Sequence, residues 1–202
     1  MKIGIIGSGN VGGTLVRRFE TAGHDVVVAN SRGPRSLTAL AEETGAKAGT
    51  VEEAARDTDL VVLALPLAAV ASLPADAFDG QLVIDADNYF GGISEIDETR
   101  ETSSRWTAEH LPGATVVKAF SSVFAEDMAT GATTPDGGVI ALPIAADDAS
   151  AKQKVMAMVA GLGFDPVDAG GLDDSWRQQP GAPASGRAMD ADHLRAGLGA
   201  AH

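Results

Sequence analysis

The sequence has no cysteine among its 202 residues and only four histidines. Without cysteine the chain has no disulfide bonds, no thiolate nucleophile and no cysteine-bearing metal site. The histidines are His24, His110, His193 and His202, and their positions lack the spacing of metal ligands. We therefore expect no metal.

Basic charge is also scarce. The 15 lysines and arginines face 28 aspartates and glutamates, which gives a net charge of −13. No basic stripe of the kind that binds nucleic acid is present, so we expect no DNA or RNA partner. The same charge repels an anionic ligand at long range, although salt screens this repulsion over roughly 8–10 Å. Local arginines must therefore recognise any anionic cofactor.

Long hydrophobic runs are missing as well. No apolar segment reaches the length of a membrane-spanning helix, and the first residues lack the basic and apolar regions of a signal peptide. We expect a cytoplasmic protein with no membrane partner. The length suits one large domain that buries a sizeable core.

The most informative pattern lies in the first 29 residues. An apolar run at residues 2–6 precedes Gly7-x-Gly9-x-x-Gly12 and an amphipathic stretch that ends at Gly23. This order predicts strand, tight turn and helix, and residues 24–29 supply the second strand of a βαβ unit. Gly7 would make the turn, Gly9 would let the backbone approach a pyrophosphate, and Gly12 would let helix and strand pack closely. The pattern predicts a dinucleotide site; a glycine-rich turn without a ligand is the alternative.

The tip of the second strand indicates which dinucleotide. NAD-specific folds place an acidic residue there to hold the ribose 2′-OH, whereas this chain has Asn30-Ser31-Arg32. A hydroxyl beside a guanidinium suits a phosphate, because arginine offers a planar fork of donors. We therefore predict NADP, held by Ser31 and Arg32 with Arg35 as a second contact. An exposed arginine in an ordinary turn is the alternative.

Three later apolar runs, residues 59–66, 81–88 and 115–122, predict strands of the same sheet. Ligands of doubly wound sheets lie outside the carboxyl ends of the strands. Leu65 and Pro66 should therefore wall the cofactor, with Val70 packing nearby. Asn88, Phe120 and Ser121 should line the acceptor slot. Asp85 and Asp87 are expected to bond to backbone or solvent.

The remaining pattern completes a doubly wound, mostly parallel α/β fold. It predicts a Rossmann-type domain over residues 1–170 and a small C-terminal appendage, residues 171–202, packed on it. Within these, residues 138–145 form a seventh strand, residues 172–186 make a surface excursion, and Ser36 is the N-cap of a helix over residues 37–44. A polar tip follows the fifth strand at residues 89–92.

Together these segments resemble the NADPH-dependent F420 reductase family, the F420H2:NADP oxidoreductases. The resemblance is carried by Gly7-Ser8-Gly9-Asn10-Val11-Gly12, Asn30-Ser31-Arg32-Gly33-Pro34, Leu63-Ala64-Leu65-Pro66, Asp85-Ala86-Asp87-Asn88-Tyr89 and Val116-Val117-Lys118-Ala119-Phe120. It implies a homodimer and an NADP site at Ser8, Asn10, Val11, Ser31, Arg32, Leu65, Pro66 and Val70. Such sequences commonly continue with Asn after Lys-Ala-Phe, whereas this chain has Ser121.

The resemblance also implies a hydride passed between NADPH and a deazaflavin, coenzyme F420. Recognisable pairs of catalytic side chains such as Tyr-Lys or Ser-His are absent from the sequence, so we expect no catalytic side chain and chemistry that depends on positioning. The anionic tail of F420 would need a base such as Lys118 or Arg177. Reduction of an imine, a flavin or a ferric chelate is an alternative, and a non-catalytic NADPH sensor is another.

Overall fold

A computed structural model of the chain describes residues 1–88 and 102–200. The strands in this part are β1 (Lys2–Ile6), β2 (Asp25–Ala29), β3 (Lys47–Ala48), β4 (Leu60–Leu63), β5 (Leu82–Asp85), β6 (Thr115–Lys118), β7 (Ala141–Ile144) and β8 (Asp165–Asp168). The α-helices are α1 (Asn10–Thr21), α2 (Thr38–Thr44), α3 (Val51–Arg56), α4 (Ser103–His110), α5 (Ala125–Thr130), α6 (Ala149–Gly161) and α7 (Ala191–Ala200). The predicted polar tip at residues 89–92 lies outside the described residues.

Six strands form one parallel sheet in the order β3-β2-β1-β4-β5-β6. This order confirms the predicted doubly wound α/β fold, with the order reversing between β1 and β4. Side chains alternate between two cores: Ile3 and Ile5 face the core that contains α1 and α6, while Ile6 faces the core that contains α3 and α4. Burial on both faces explains why the strand sequences are apolar without alternation.

The seventh predicted strand does not extend this sheet as a parallel neighbour. β7 and β8 form a separate two-stranded parallel sheet. It meets the larger sheet through an antiparallel bridge, in which the Lys118 amide donates to the Ala145 carbonyl at 2.8 Å and the Ala145 amide donates to the Lys118 carbonyl at 3.1 Å. α7 packs on this small sheet, and its Leu194 and Leu198 share a core with Val167.

Two further local predictions were wrong. Residues 34–37 form a 3₁₀ turn before α2, and Ser36 lies inside this turn and does not cap the helix. The segment 172–186 is not a surface excursion, because it starts with a 3₁₀ helix, Leu172–Gln178, whose Leu172, Ser175 and Gln178 are buried. Of the helices in residues 1–88 and 102–200, none is long and apolar enough to cross a membrane.

Candidate active site

The glycine turn between β1 and α1 is packed against the neighbouring strand β4. Gly7 has a positive φ of 116°, and a Cβ there would lie 1.9 Å from the Ala64 carbonyl oxygen. A Cβ at Gly12 would lie 2.1 Å from the Gly7 carbonyl oxygen. Both glycines are therefore required by the close approach of backbone to backbone.

Gly9 differs from the other two glycines of the motif. Its φ of −75° and ψ of −162° suit any residue, and a Cβ there would meet no atom within 4 Å. Gly9 precedes α1, where no described side chain caps the helix, so the first N–H groups of α1 are free to bind an anion. The space beside Gly9 and the free amides fit the pyrophosphate of a dinucleotide.

A cleft of about 970 Å³ opens beside this turn at the carboxyl ends of the strands. Gly9, Asn10 and Val11 lie at its base. Its walls are the loops after β4, β5 and β6, followed by the C-terminal segment, namely residues 64–66, 86–88, 121–126, 180–181 and 185–186. The C-terminal segment was missed by sequence reasoning. It is held in place by the Gly186 amide, which donates to the Ser122 carbonyl at 2.8 Å.

A second cavity of about 580 Å³ lies on the other side of the glycine turn. Ser8 and Arg32 line it, and it shares Gly9, Asn10, Ala125 and Glu126 with the larger cleft. The two cavities therefore meet at the N-terminus of α1. Such an arrangement places one end of an extended ligand against Arg32 and the other against the loops after β4 to β6.

Asn30 organises the tip of β2. Its Nδ2 donates to Ser8 Oγ at 2.9 Å, and its Oδ1 accepts from the Arg32 amide at 2.9 Å and from Ser36 Oγ at 3.0 Å. Sequence reasoning placed Asn30 at the tip without giving it this role. The tendency of asparagine to accept a hydrogen bond from the amide two residues ahead was the available signal. Ser31 and Arg35 are exposed and are not among the lining residues of the two cavities.

The structure separates the predicted wall residues into two groups. Leu65 and Pro66 line the cleft. Val70 is 1% exposed and packs in the core beneath them, so it is not a lining residue.

The predicted acceptor residues also divide. Asn88 and Ser121 line the cleft, and Asn88 Nδ2 donates to the Ser121 carbonyl at 2.8 Å. Phe120 does not line the cleft, because its ring is buried in the core against the ring of Phe19, with centroids 6.3 Å apart. Its backbone has a positive φ of 64°. The hydroxyl of neighbouring Ser122 and that of Ser121 are buried without a hydrogen-bond partner among the described residues, so polar atoms remain available at this wall.

The prediction that Asp85 and Asp87 bond to backbone or solvent was only partly right, because both are buried with Lys118. Lys118 Nζ lies 3.4 Å from Asp85 Oδ2, donates to Ser103 Oγ at 3.2 Å and also donates to the Asp87 carbonyl. Asp87 Oδ1 accepts from the Leu65 amide at 2.7 Å. Burial and the adjacent Asp85 carboxylate raise the pKa of Asp87 well above its ordinary value.

This burial removes one of the two bases expected to receive an anionic tail. Lys118 is 0% exposed, so it does not reach the cleft. Arg177 is partly exposed but pairs with Asp174 at 3.2 Å, and it is not among the lining residues. Within the part of the chain that the structure describes, the ionisable residues lining the cleft are Asp87 and Glu126. No cluster of potential metal ligands occurs in the same part of the chain.

The model of the family described as "NADP oxidoreductase coenzyme F420-dependent" matches residues 2–89. The metalloreductase STEAP3 of Rattus norvegicus is 31% identical over 173 residues, which are 85% of this chain and 34% of that protein. The chain thus spans little more than a third of the length of the curated relatives it matches.

Two solved structures cover nearly the whole chain. The hypothetical protein SMa0349 of Sinorhizobium meliloti is 34% identical, with a TM-score of 0.83 over 95% of this chain and 97% of that one. A candidate F420-dependent NADP reductase of Arthrobacter sp. FB24 is 23% identical, with a TM-score of 0.75 over 88% and 87% of the two chains. The second likeness concerns the fold alone.

Proposed function

We propose that the chain transfers a hydride between NADPH and a flat-ringed acceptor of the deazaflavin type, because residues 2–89 match the model of the family described as "NADP oxidoreductase coenzyme F420-dependent". The observation that carries this proposal is the junction of the two cavities at Gly9 and Asn10. A dinucleotide whose pyrophosphate lies at the N-terminus of α1 extends in both directions from this junction. Its adenosine end then lies towards Arg32 and its nicotinamide end in the larger cleft.

The chain's own residues bind and orient the two rings. The first amides of α1 hold the pyrophosphate, and Arg32 pairs with the 2′-phosphate, for which its guanidinium is suited. Leu65, Pro66 and Val123 offer apolar surface to flat rings and exclude water from the space between them. When bound, NADPH supplies the hydride and its electron pair.

The acceptor slot is the part of the cleft between Asn88, Ser121 and the C-terminal segment. The partnerless Asn88 Oδ1 and the hydroxyls of Ser121 and Ser122 suit the polar edge of a heterocycle. The slot is open, which favours an enzyme over a sensor whose cleft is closed by Ser121. The anionic tail of F420 would extend beyond the lining residues, since the acidic side chains of Asp87 and Glu126 would repel it.

A second candidate is reduction of another small acceptor, such as an imine, a flavin or a ferric chelate. The absence of a basic residue from the described lining favours an acceptor without an anionic tail. The 31% identity with a metalloreductase supports a chelated metal ion among these acceptors.

A steady-state assay tests these candidates directly. NADPH oxidation by the purified protein is measured with F420, FMN, FAD, a cyclic imine and ferric chelates, and we expect F420 to be reduced fastest. The Gly9→Val variant controls for contaminating reductases, because it should not bind the cofactor. Turnover of another acceptor with none of F420 would move the function to the second candidate. Tight NADPH binding without turnover of any acceptor would indicate that the protein is a non-catalytic NADPH sensor.

A further inference from the structure

Two carboxyl groups and one ammonium group are buried together behind the wall of the cleft. Asp85, Asp87 and Lys118 are each 3% exposed or less. They come together because Asp85 and Lys118 are partners in the register of β5 and β6, and Asp87 follows Asp85 by two residues. Of the three, only Asp87 also lines the cleft.

The charges of this cluster do not balance when all three groups are ionised. Two carboxylates and one ammonium leave one net negative charge in a buried site, and burial of unpaired charge is costly. One bound proton makes the cluster neutral. The cluster therefore favours a carboxylic acid at one of the two aspartates.

The hydrogen bonds identify which carboxyl oxygen holds the proton. Asp85 Oδ2 faces the ammonium, and Asp85 Oδ1 accepts from the Asp87 amide at 2.9 Å. Asp87 Oδ1 accepts from the Leu65 amide at 2.7 Å. Asp87 Oδ2 is buried and has no partner among the described residues. A proton at Asp87 Oδ2 displaces no hydrogen bond among the described residues, and Asp87 is the member of the cluster that lines the cleft.

We propose that Asp87 carries a proton at Oδ2 and delivers it to the acceptor in the cleft, as the catalytic acid of the reduction. This inference rests on the proposed function, because it assigns a residue to the second half of the same reaction. It also names the acceptor class: a molecule whose nitrogen or oxygen lone pair is bonded to, or conjugated with, the atom that receives the hydride, as in the deazaflavin ring.

The reaction balances with the groups already named. A two-electron acceptor A gains a hydride and a proton, so that NADPH + A + H⁺ gives NADP⁺ + AH₂. The hydride brings its electron pair from the dihydronicotinamide, while the O–H bond of Asp87 breaks and the proton bonds to the nitrogen or oxygen of the acceptor. Asp87 is left as a carboxylate near the Lys118 ammonium and takes a proton from water before the next turnover.

The surroundings of Asp87 agree with this role. Burial raises its pKa most and the Asp85 carboxylate raises it further, while Lys118 and the Leu65 amide act in the opposite direction. The elements packed against it contribute Asp85 from β5, Lys118 from β6 and the uncharged Ser103 from α4. Glu126 of α5 lines the same cleft.

The first test uses the pH dependence of turnover. A catalytic acid must be protonated, so kcat of the wild type should fall as pH rises through the raised pKa of Asp87. Asp87→Asn keeps the shape and an acceptor for the Leu65 amide but has no proton to give. We expect its kcat to fall by about 10²- to 10⁴-fold and to lose this pH dependence, with little change in NADPH binding.

Asp85→Asn provides a second variant with a different expected result. This substitution removes one carboxylate, so the Lys118 ammonium balances the charge of Asp87 alone and favours its ionised form. The midpoint of the pH profile should therefore move down by about one unit or more. This shift tests the proposal even if Asp87→Asn does not fold, as judged by circular dichroism. An unchanged midpoint in Asp85→Asn, or an unchanged rate and pH profile in Asp87→Asn, would overturn the acid role.

The second test needs neither NADPH nor an acceptor. Carbon-13 NMR of protein labelled at aspartate carboxyls follows the resonance that is lost in Asp87→Asn. It should stay protonated at a pH where the resonances of the exposed aspartates have already changed to those of carboxylates. Titration together with the exposed aspartates overturns the acid role alone. A wild type that reduces no acceptor overturns the proposed function and, with it, the acid role.

Discussion

Asn30 Nδ2 donates a 2.9 Å hydrogen bond to Ser8 Oγ, and this contact ties the tip of β2 to the glycine turn after β1. The same side chain accepts the Arg32 amide, so the backbone that carries Arg32 is positioned relative to the N-terminus of α1. An acidic residue at the tip would offer no donor to Ser8. The asparagine therefore connects the two parts of the candidate NADP site, and it bonds to the Arg32 backbone and not to the guanidinium, which is the group suited to a phosphate.

Arg32→Ala tests the preference for NADP. A hydrogen bond to a charged group contributes roughly 1.5–3 kcal/mol, so the Kd for NADPH should rise by about 10- to 150-fold while the Kd for NADH scarcely changes. Calorimetry or fluorescence titration measures both values. Arg35→Ala is the matched control from the same tip, and because Arg35 lines neither cavity its effect should be smaller. Equal losses for the two cofactors in Arg32→Ala would mean that Arg32 supports the loop.

Gly9→Val tests whether the space at the turn belongs to a ligand. The φ of Gly9 accepts a side chain and no atom lies within 4 Å of a Cβ, so only the poorer preference of valine for the N-cap position should lower the free energy of unfolding, by about 1 kcal/mol or less. Binding of NADPH and NADH should both be lost. Gly7→Ala is the contrasting variant and should fold poorly, because its Cβ meets the Ala64 carbonyl. Undiminished NADPH binding by Gly9→Val would place the dinucleotide elsewhere.

Asp87 should make the stability of the fold depend on pH. Its pKa is raised in the folded state, so the stabilisation is fully present below the ordinary pKa of aspartate and is lost as pH rises through the raised value. Urea unfolding over a pH series should therefore show the wild type losing free energy of unfolding across this window. The loss should be smaller in Asp87→Asn. Identical slopes for the two proteins would contradict the raised pKa.

Glu126 should weaken the binding of anionic ligands. It lines both cavities near the expected pyrophosphate, and an exposed charge pair changes the free energy by about 0.2–1 kcal/mol. Glu126→Gln should therefore bind NADPH about 1.5- to 5-fold more tightly at low ionic strength, and the difference should vanish in high salt. Asp127→Asn removes the same charge from the next position of α5, which lines neither cavity. Equal gains in both variants would show an effect of net charge alone.

The net charge itself predicts a salt effect on catalysis. With −13 on the chain and no basic residue in the described lining of the cleft, F420 should be reduced faster at moderate salt than at very low salt. Steady-state rates over a range of ionic strengths measure this. An uncharged imine acceptor serves as the control and should show a smaller dependence, since NADPH alone carries the repelled charge. A rate that falls steadily with salt would indicate a basic acceptor site.

Local patterns in the sequence determined the sheet and the turn. The sequence alone indicated the turn glycines Gly7 and Gly12 and the apolar strands β1, β2 and β4–β6. It also indicated that Asn30 stands where NAD-specific folds have an acidic residue. Each of these features depends on residues that are close in the chain. The sequence did not predict the contacts of the Asn30 side chain. The position of this asparagine two residues before Arg32 was nevertheless a signal for its hydrogen bond with the Arg32 amide.

Tertiary structure alone decided which side chains the cleft contains. Phe120 was expected in the cleft and lies in the core, since the sequence does not reveal a positive φ at a non-glycine residue. Lys118 appeared free to bind an anion, yet β5 and β6 are neighbours and their register buries it against Asp85. The C-terminal segment reaches the cleft through a contact between Gly186 and Ser122, 64 positions apart by their residue numbers. Such contacts depend on strand order and long-range packing, which no short pattern of residues encodes.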